Sequence, residues 1–538
     1  MKIDEKVRQN KPAHVWQEYC GFLDLTMEQY MQVQNRLMDE QIRAWCPSAL
    51  GRHFFSGTEP RTIEEFRRAI PLTTYDDYAD VLLQKRDDLL PAPASIWIKT
   101  TWEGGMHPIK LAPYSKSMLD TFRNNAMACL ILCSASGRGK FELGRRILSG
   151  FAPLPYVTGL IGLILQQETN LEFLPPAREA AGMSFSEQVK AGFKLAMHRG
   201  VDYFFSMGSI AHYISNSLVS MTGSSGSHKL HSPAVVFRVL RAKARARREN
   251  RPLMPKDLFR LRGFFCAGTD NQCYKDELEK SWGVRPMELF AGTEPTLIAT
   301  ETWSREGLYF FPDACFYEFL PLDEIPRLEN DADYRPATFL MNEVRAGEKY
   351  ELIITVLKGG AFARYRTGDL YSCLGIGSRE DGTSLPRFQY LDRIFSVIDI
   401  AGFTRITENS IQNAIQLSRL PIQGWFAAKE YNAEGHPYLH MYVEMSVLST
   451  CTSALSKELL QEHLAIYFKY ADHDFKDLKR ILGINPLEIT LLACGTFERF
   501  RRSRGYRIAA INPPQKDVAE LLRVEKEIPL YEDKDRSE

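Results

Sequence analysis

The 538-residue chain carries no surplus of either charge, with 67 lysines and arginines against 67 aspartates and glutamates. A dedicated nucleic-acid binder needs an excess of cations to neutralise phosphates, so that class is excluded as the main role. Its ten cysteines include no Cys-x-x-Cys pair and no zinc-finger spacing to histidine, which excludes a structural zinc site and a disulfide scaffold. Thiols this scattered are expected to be buried in a reducing compartment, the cytoplasm. Long apolar runs are missing too. The greasiest stretch, 151–165, is shorter than the ~20 residues of a membrane span and contains Pro153 and Pro155. It reads as a core segment or a pocket wall. The opening residues hold no apolar h-region, so no secretory leader is expected. The Walker pattern G-x-x-x-x-G-K-[ST] is absent, no Ser/His/Asp triad is discernible, and no internal repeat is evident.

What is present is an ordinary globular balance, 44% hydrophobic and 25% charged residues. Length alone predicts three to four folding units. Helical spacing runs through 14–90, for example Tyr30, Val33, Leu37 and Ile42. Short apolar runs at 96–98, 127–133, 264–266, 286–290 and 350–356 read as strands, interleaved with helices, which predicts an α/β fold with mixed sheets and helices. A basic run within 234–262 reads as a solvated helix, with an anion or RNA patch as the sharper alternative. A polar, glycine-bearing hairpin is expected at 378–384. After Asp392 the pattern changes to a smaller α+β unit, with strands at 394–400, 425–429, 439–445 and 487–492 and a helix at 456–468. The predicted domains are therefore 1–392 and 393–538.

Four segments carry candidate chemistry. In the first, T-T-W-E-G-G-M-H-P-I-K (100–110), glycines after a strand let backbone approach a phosphate, hydroxyls and amides donate, and Lys110 supplies charge. The alternative is a tight turn. The second comprises F-C-A-G-T-D (265–270) and E-L-F-A-G-T-E-P (288–295), two strands running into small-residue turns. An aromatic such as Phe290 can stack on a purine, Thr293 can meet a phosphate oxygen, and Glu294 can hold Mg²⁺. A capped strand-to-helix turn is the plainer reading. In the third, A-R-Y-R-T-G-D-L (363–370), Asp369 can accept both hydroxyls of a ribose, or simply belong to a Gly-Asp turn. The fourth, Y-L-D-R-I-F-S-V-I-D-I-A-G-F-T-R-I-T-E (390–408), places Asp392–Arg393 on the predicted boundary, with Gly402 suited to a hairpin turn and Glu408 opening a helix. His198 and Asp202 fit a bare H-x-x-x-D spacing, which a structural histidine explains as well. The polar run 222–229 has the composition of a phosphate loop and reads as a mobile polar loop, and Phe204, Phe205 and Tyr213 read as core, with the lining of a pocket as the alternative.

In that order, these segments resemble the acyl-adenylate-forming enzyme superfamily. The details F-Y-E-F-L-P (316–321), G-E-K-Y-E-L-I-I-T (347–355), R-Y-R-T-G-D (364–369), G-T-F-E (495–498) and Y-D-D-Y (75–78) are similar to the plant auxin-responsive acyl-acid amido synthetases and their bacterial relatives. The resemblance implies a large N-terminal domain binding ATP and the acyl group, and a smaller, mobile C-terminal domain hinged at Asp392–Arg393. It implies that Thr100, Thr101, Gly104, Gly105 and Lys110 line the phosphate loop. Ala267, Gly268 and Phe290 would hold adenine, Thr293 would touch the α-phosphate, and Glu294 would bind Mg²⁺. Asp369, helped by Arg393, would clamp the ribose, and Lys516 would be the C-terminal lysine that reaches the α-phosphate. ATP and Mg²⁺ are the implied cofactors.

The implied reaction activates a small carboxylic acid as an acyl adenylate, with release of pyrophosphate, and passes the acyl group to an amine or amino acid. Transfer to CoA is the alternative, and Y-E-F-L-P and G-T-F-E favour the amide. A nucleotide-binding relative that no longer adenylates is a third reading, supported by Trp102 and Glu103 in the loop, where a carboxylate would repel phosphate unless paired with Lys110. No nucleic-acid partner and no membrane span are expected.

Overall fold

The computed structural model describes residues 1–101, 109–149, 154–180, 182–183, 185–223, 233–331, 333–394, 397–400, 404–446, 457–471, 485–503 and 509–528. The chain divides into two compact units, one made of Met1–Thr101 with Ile109–Asp392, the other of Arg393–Glu538. Length predicts more, but the first unit is counted as one compact body, with a smaller apolar cluster around Trp45, Phe66 and Phe316 beside its main core. One apolar cluster runs from Ile3 through Phe265 and Leu352 to Tyr390.

Three β-structures of this larger unit bear on the site, besides the short hairpin Ala135–Gly137/Lys140–Phe141. A seven-stranded sheet has the spatial order Tyr309–Phe310, Thr296–Thr300, Met287–Gly292, Gly263–Ala267, Tyr203–Ser206, Arg146–Ser149, Glu172–Leu174. Its strands from Met287–Gly292 to Glu172–Leu174 pair in parallel, and the two at the other edge are antiparallel. A four-stranded sheet holds Cys315–Pro321, Lys349–Val356, Tyr365–Ser378 and Thr383–Arg393. The hairpin Ile96–Thr101/Ile109–Tyr114 forms the third, with Thr100 opposite Lys110. In a parallel sheet the strands' carboxyl ends open onto turns that face one crevice, the usual place for a ligand in α/β proteins. Here the turns after Ser206, Ala267 and Gly292 lie side by side, because Ser206 pairs with Cys266 and Ala267 with Leu289.

One predicted strand is a helix. Residues 127–133 form the buried end of the helix Lys116–Ser134, which Ser115 caps by accepting from the Met118 amide at 3.1 Å. Met127 through Cys133 are all buried, because this end lies between the sheet and the helix Pro12–Cys20. A helix wrapped on every side loses its apolar periodicity, so the run reads like a buried strand.

The greasy stretch contributes the helix Val157–Glu168, which buries Leu160, Ile161, Ile164 and Leu165; residues 151–153 lie outside the described residues. Phe204 and Phe205 are core, Tyr213 is only half-buried, and the polar run 222–229 lies outside the described residues from 224 onward. Asp202 accepts from the backbone amides of Arg145 and Arg146, while His198 ends a helix, so the H-x-x-x-D spacing is structural. Among the described residues no helix is long and apolar enough to cross a membrane. The described cysteines are free thiols, buried except for the half-buried Cys273 and Cys494.

The smaller unit contains the hairpin Val397–Ile400/Thr404–Thr407 and the helix Glu408–Ser418, capped by Thr407. Its three-stranded sheet, Ile422–Tyr431, Pro437–Met445 and Leu487–Leu492, is flanked by the helices Lys457–Ala471, Thr496–Ser503 and Gln515–Lys526. Phe426, Tyr442, Phe497, Phe500 and Leu521 form a core there.

Candidate active site

Three of the four sequence segments converge in the larger unit. Lys110, in the second strand of the hairpin, places its Nζ 3.2 Å from Glu294 Oε1. Tyr365, the tyrosine of R-Y-R-T-G-D, accepts from the same ammonium at 3.2 Å and donates to Glu294 Oε1 at 2.8 Å. The Tyr75 ring lies 5.2 Å from Lys110 Nζ, within cation–π range. Burial pushes the Glu294 carboxyl up, but the Lys110 charge and the Tyr365 hydroxyl outweigh it and hold the group below the usual glutamate value. The result is a charged lysine beside a charged carboxylate, each about a tenth exposed (11% and 13%), and so desolvated yet accessible.

Local packing positions each member. Tyr114 donates to the carbonyls of Gly292 and Thr293 at 3.1 and 2.9 Å, fixing the turn that presents Glu294. The two arginines flanking Tyr365 are both committed. Arg364, at φ 46°, contacts Glu318 at 3.0 and 3.1 Å, and Arg366 contacts Glu351 at 2.7 Å. The carboxylates of F-Y-E-F-L-P and K-Y-E-L-I-I thus clamp the strand on either side of Tyr365. G-T-F-E is likewise structural, since Glu444 accepts from the amides of Gly495 and Phe497 at 2.9 and 2.7 Å.

On the neighbouring turn, Gly268 has φ 106°, a conformation that disfavours any side chain. Asn271 holds this turn to the one beside it, accepting from the Gly208 amide at 3.0 Å and donating to the Gly268 carbonyl at 2.7 Å. Beneath lies a sealed cluster, with Lys275 Nζ 2.6 Å from Glu301 and 3.2 Å from Glu288. Burial pulls Lys275 down, but the two carboxylates hold it above the ordinary lysine value. Tyr365, Tyr75, Asn271 and Lys275 were not candidates from the sequence. The only signal was their position inside or next to the quoted motifs.

The other candidates fall as follows. Thr100 and Thr101 end the first strand of the hairpin, and Gly104, Gly105, Trp102 and Glu103 lie outside the described residues. Ala267 and Phe290 are buried at strand ends, with the Phe290 ring packed against Tyr371 and Tyr390. Thr293 is buried in the turn before Glu294. Asp369 is buried, and its amide is held by Thr367 Oγ1 at 3.1 Å. Arg393 and Lys516 belong to the smaller unit. There Arg393 lies 3.7 Å from the buried Asp399, and Lys516 is exposed in the first turn of its helix. Gly402 lies outside the described residues.

The donor set fits a magnesium nucleotide. Mg²⁺ is ordinarily held by one or two carboxylates together with phosphate oxygens, and Glu294 is an ionised carboxylate at a strand end. Lys110 beside it would be the cation paired with such a phosphate.

Residues 308–393 match the GH3 family central domain. That stretch contains the Tyr365 strand, both arginines and both clamping carboxylates. The chain is similar to jasmonoyl–L-amino acid synthetase JAR4 of Nicotiana attenuata, 23% identical over 200 residues, 35% of this chain and 30% of that protein. It is 25% identical over 206 residues to jasmonoyl–L-amino acid synthetase GH3.5 of Oryza sativa subsp. japonica, 35% of this chain and 32% of that one. The chain thus spans about a third of the length of the curated relatives it matches. Among solved structures, 2-hydroxyisobutyryl-CoA ligase in complex with 2-HIB-AMP and CoA aligns with a TM-score of 0.57 over 88% of this chain and 87% of that one. At 15% identity this likeness shows a shared fold. The match to the GH3 central domain and the fold shared with that ligase accord with the resemblance read from the motifs.

Proposed function

We propose that the protein is an ATP-dependent ligase that activates a carboxylic acid as an acyl adenylate and transfers the acyl group to an amine or amino acid. The observation that carries this reading is the convergence of Lys110, Glu294 and Tyr365, from three separate motifs, at a turn beyond a sheet's carboxyl ends. A carboxylate cannot expel oxide. Attack of its oxygen on the α-phosphorus of ATP forms a P–O bond, breaks the bond to pyrophosphate, and leaves a mixed anhydride. The acceptor nitrogen then bonds to the carbonyl carbon, AMP departs and a proton is lost. Charge develops on phosphoryl oxygens in the first step, so preorganised cations contribute most. Lys110 serves as such a cation, and Tyr365 fixes the lysine and the carboxylate in one geometry. Glu294 would hold Mg²⁺, which when bound neutralises phosphate charge. Gly268 allows close approach of the nucleotide, Asp369 binds ribose, and Lys516 together with rotation at Asp392–Arg393 supplies the second cation.

The test is carboxylate-dependent ATP–pyrophosphate exchange across a panel of acids, with Lys110→Ala, Glu294→Ala, Asp369→Ala and Lys516→Ala beside the wild type. Exchange that appears with one acid class and fades in the variants supports the reading. Full exchange in Lys516→Ala moves the second cation elsewhere. Adding amino acids or CoA then identifies the acceptor by its product.

A further inference from the structure

The basic run read as a solvated helix forms one wall of a cleft. The helix Pro233–Arg248 presents Arg241, Arg245 and Arg248 along one stripe, and Lys256 and Arg260 face them from the following segment. The cleft measures about 1140 Å³, and the buried side chains of Leu258, Phe259 and Trp282 back its lining. Seven cationic side chains line it against two carboxylates. Both carboxylates are spoken for, because Asp257 and Glu249 pair with Arg251 at 2.7 and 2.6 Å. Arg238 donates to the Ala196 carbonyl at 2.7 Å. Arg241, Arg248, Lys256 and Arg260 make no ion pair among the described residues. On a chain of zero net charge, this is a local excess of five positive charges in a concavity. Low-dielectric walls focus such a field onto an entering anion.

The cleft is not an annex of the candidate active site. It lies where the chain enters the strands Gly263–Ala267 and Met287–Gly292, next to Arg260, Leu261 and Val284, whereas the candidate site lies beyond the exits of the same strands. Five residues of strand at about 3.3 Å each separate the two by roughly 17 Å. Guanidinium groups grip phosphate through paired N–H donors. At the mouth, Phe237 is 69% exposed and offers a flat apolar face. The volume is that of a pocket for a cofactor-sized molecule.

We propose that this cleft binds an organic polyphosphate of cofactor size, its phosphates held by Arg241, Arg245 and Arg248. The proposal is independent of adenylation. Its test is calorimetric titration of the full chain with inorganic tripolyphosphate. The wild type is compared with the triple variant Arg241→Gln/Arg245→Gln/Arg248→Gln and with Lys243→Gln/Arg247→Gln, which removes exposed cations of the same helix that do not line the cleft. One-to-one binding is expected, weakened at least about tenfold in the triple variant and less than about twofold in the double variant. Equal weakening in both would reduce the site to diffuse surface charge and overturn the proposal. So would unchanged binding in the triple variant, absence of binding, or a preference for anionic lipid vesicles or RNA over tripolyphosphate. Circular dichroism of both variants guards against misfolding as the cause.

Discussion

The larger unit contains two lysine–glutamate clusters of nearly the same composition and opposite character. Lys110 and Glu294 meet a tyrosine hydroxyl at a strand end and are 11% and 13% exposed, while Lys275, Glu288 and Glu301 are sealed at 3% exposure or less. In the first, one cation faces one carboxylate, so a ligand phosphate can compete for the lysine. In the second, one lysine serves two carboxylates and Asn271 and Gln272 donate to Glu288, so every member is committed to the scaffold. Burial raises the Glu288 carboxyl, with Lys275 opposing and Glu301 adding to the rise, whereas Glu294 is lowered. Residue type therefore does not separate an accessible pair from a sealed one. Access and stoichiometry of charge do.

The comparison breaks most visibly at Lys275. Lys275→Met leaves two carboxylates buried side by side and should cost about 3–5 kcal/mol, read as a lowered urea midpoint. Lys110→Ala should lose less than half of that stability. Its main effect belongs in the exchange assay, with a loss of about 10²–10³-fold if the lysine stabilises developing phosphoryl charge. Equal destabilisation by the two substitutions would erase the distinction between the clusters.

Much of this was legible in the sequence, for identifiable reasons. Glycine turns after apolar runs marked the strand ends at Ala267 and Gly292, and the change of pattern after Asp392 anticipated the small sheet's strands. The helix end at 127–133 was not legible, because a segment covered on all sides has no periodic face. Tyr365 is less conspicuous in the sequence than Asp369 of the same motif. Its role depends on a lysine 255 positions away in the chain, and only the folded sheet sets that distance. Glu318 and Glu351 looked like family details, and their partners Arg364 and Arg366 become apparent only from strand register.

A finer probe is Tyr365→Phe, which keeps the ring and its packing but deletes the hydroxyl between Lys110 and Glu294. With the ion pair intact, exchange should fall by only about tenfold, the value of one hydrogen bond to a charged group. Tyr75→Phe keeps the ring face toward Lys110 and should fall less. A Tyr365→Phe loss as large as that of Lys110→Ala would make the hydroxyl a direct participant in the reaction.

The smallest effect tests whether an accessible carboxylate held by a histidine and two hydroxyls behaves like Glu294. Glu430, on the small unit's sheet, accepts from Tyr442 at 2.6 Å and Tyr438 at 3.0 Å, and lies 2.7 Å from His440 Nδ1. Burial works against ionisation there, but His440 and the two hydroxyls prevail and lower the carboxyl from 4.5 to about 2. A carboxylate lowered on folding stabilises the protein above its unfolded value, and that contribution fades as pH falls from about 4.5 toward 2. Solvent screens the group, which is 32% exposed, so the contribution should stay under about 1 kcal/mol. The thermal midpoint of the wild type should therefore exceed that of Glu430→Gln at pH 6, with the gap narrowing by pH 3.5. A gap that stays constant would mean that the hydroxyls bind the amide as well as the carboxylate. Charge would then matter less on this sheet than at Glu294, where the partner is a lysine.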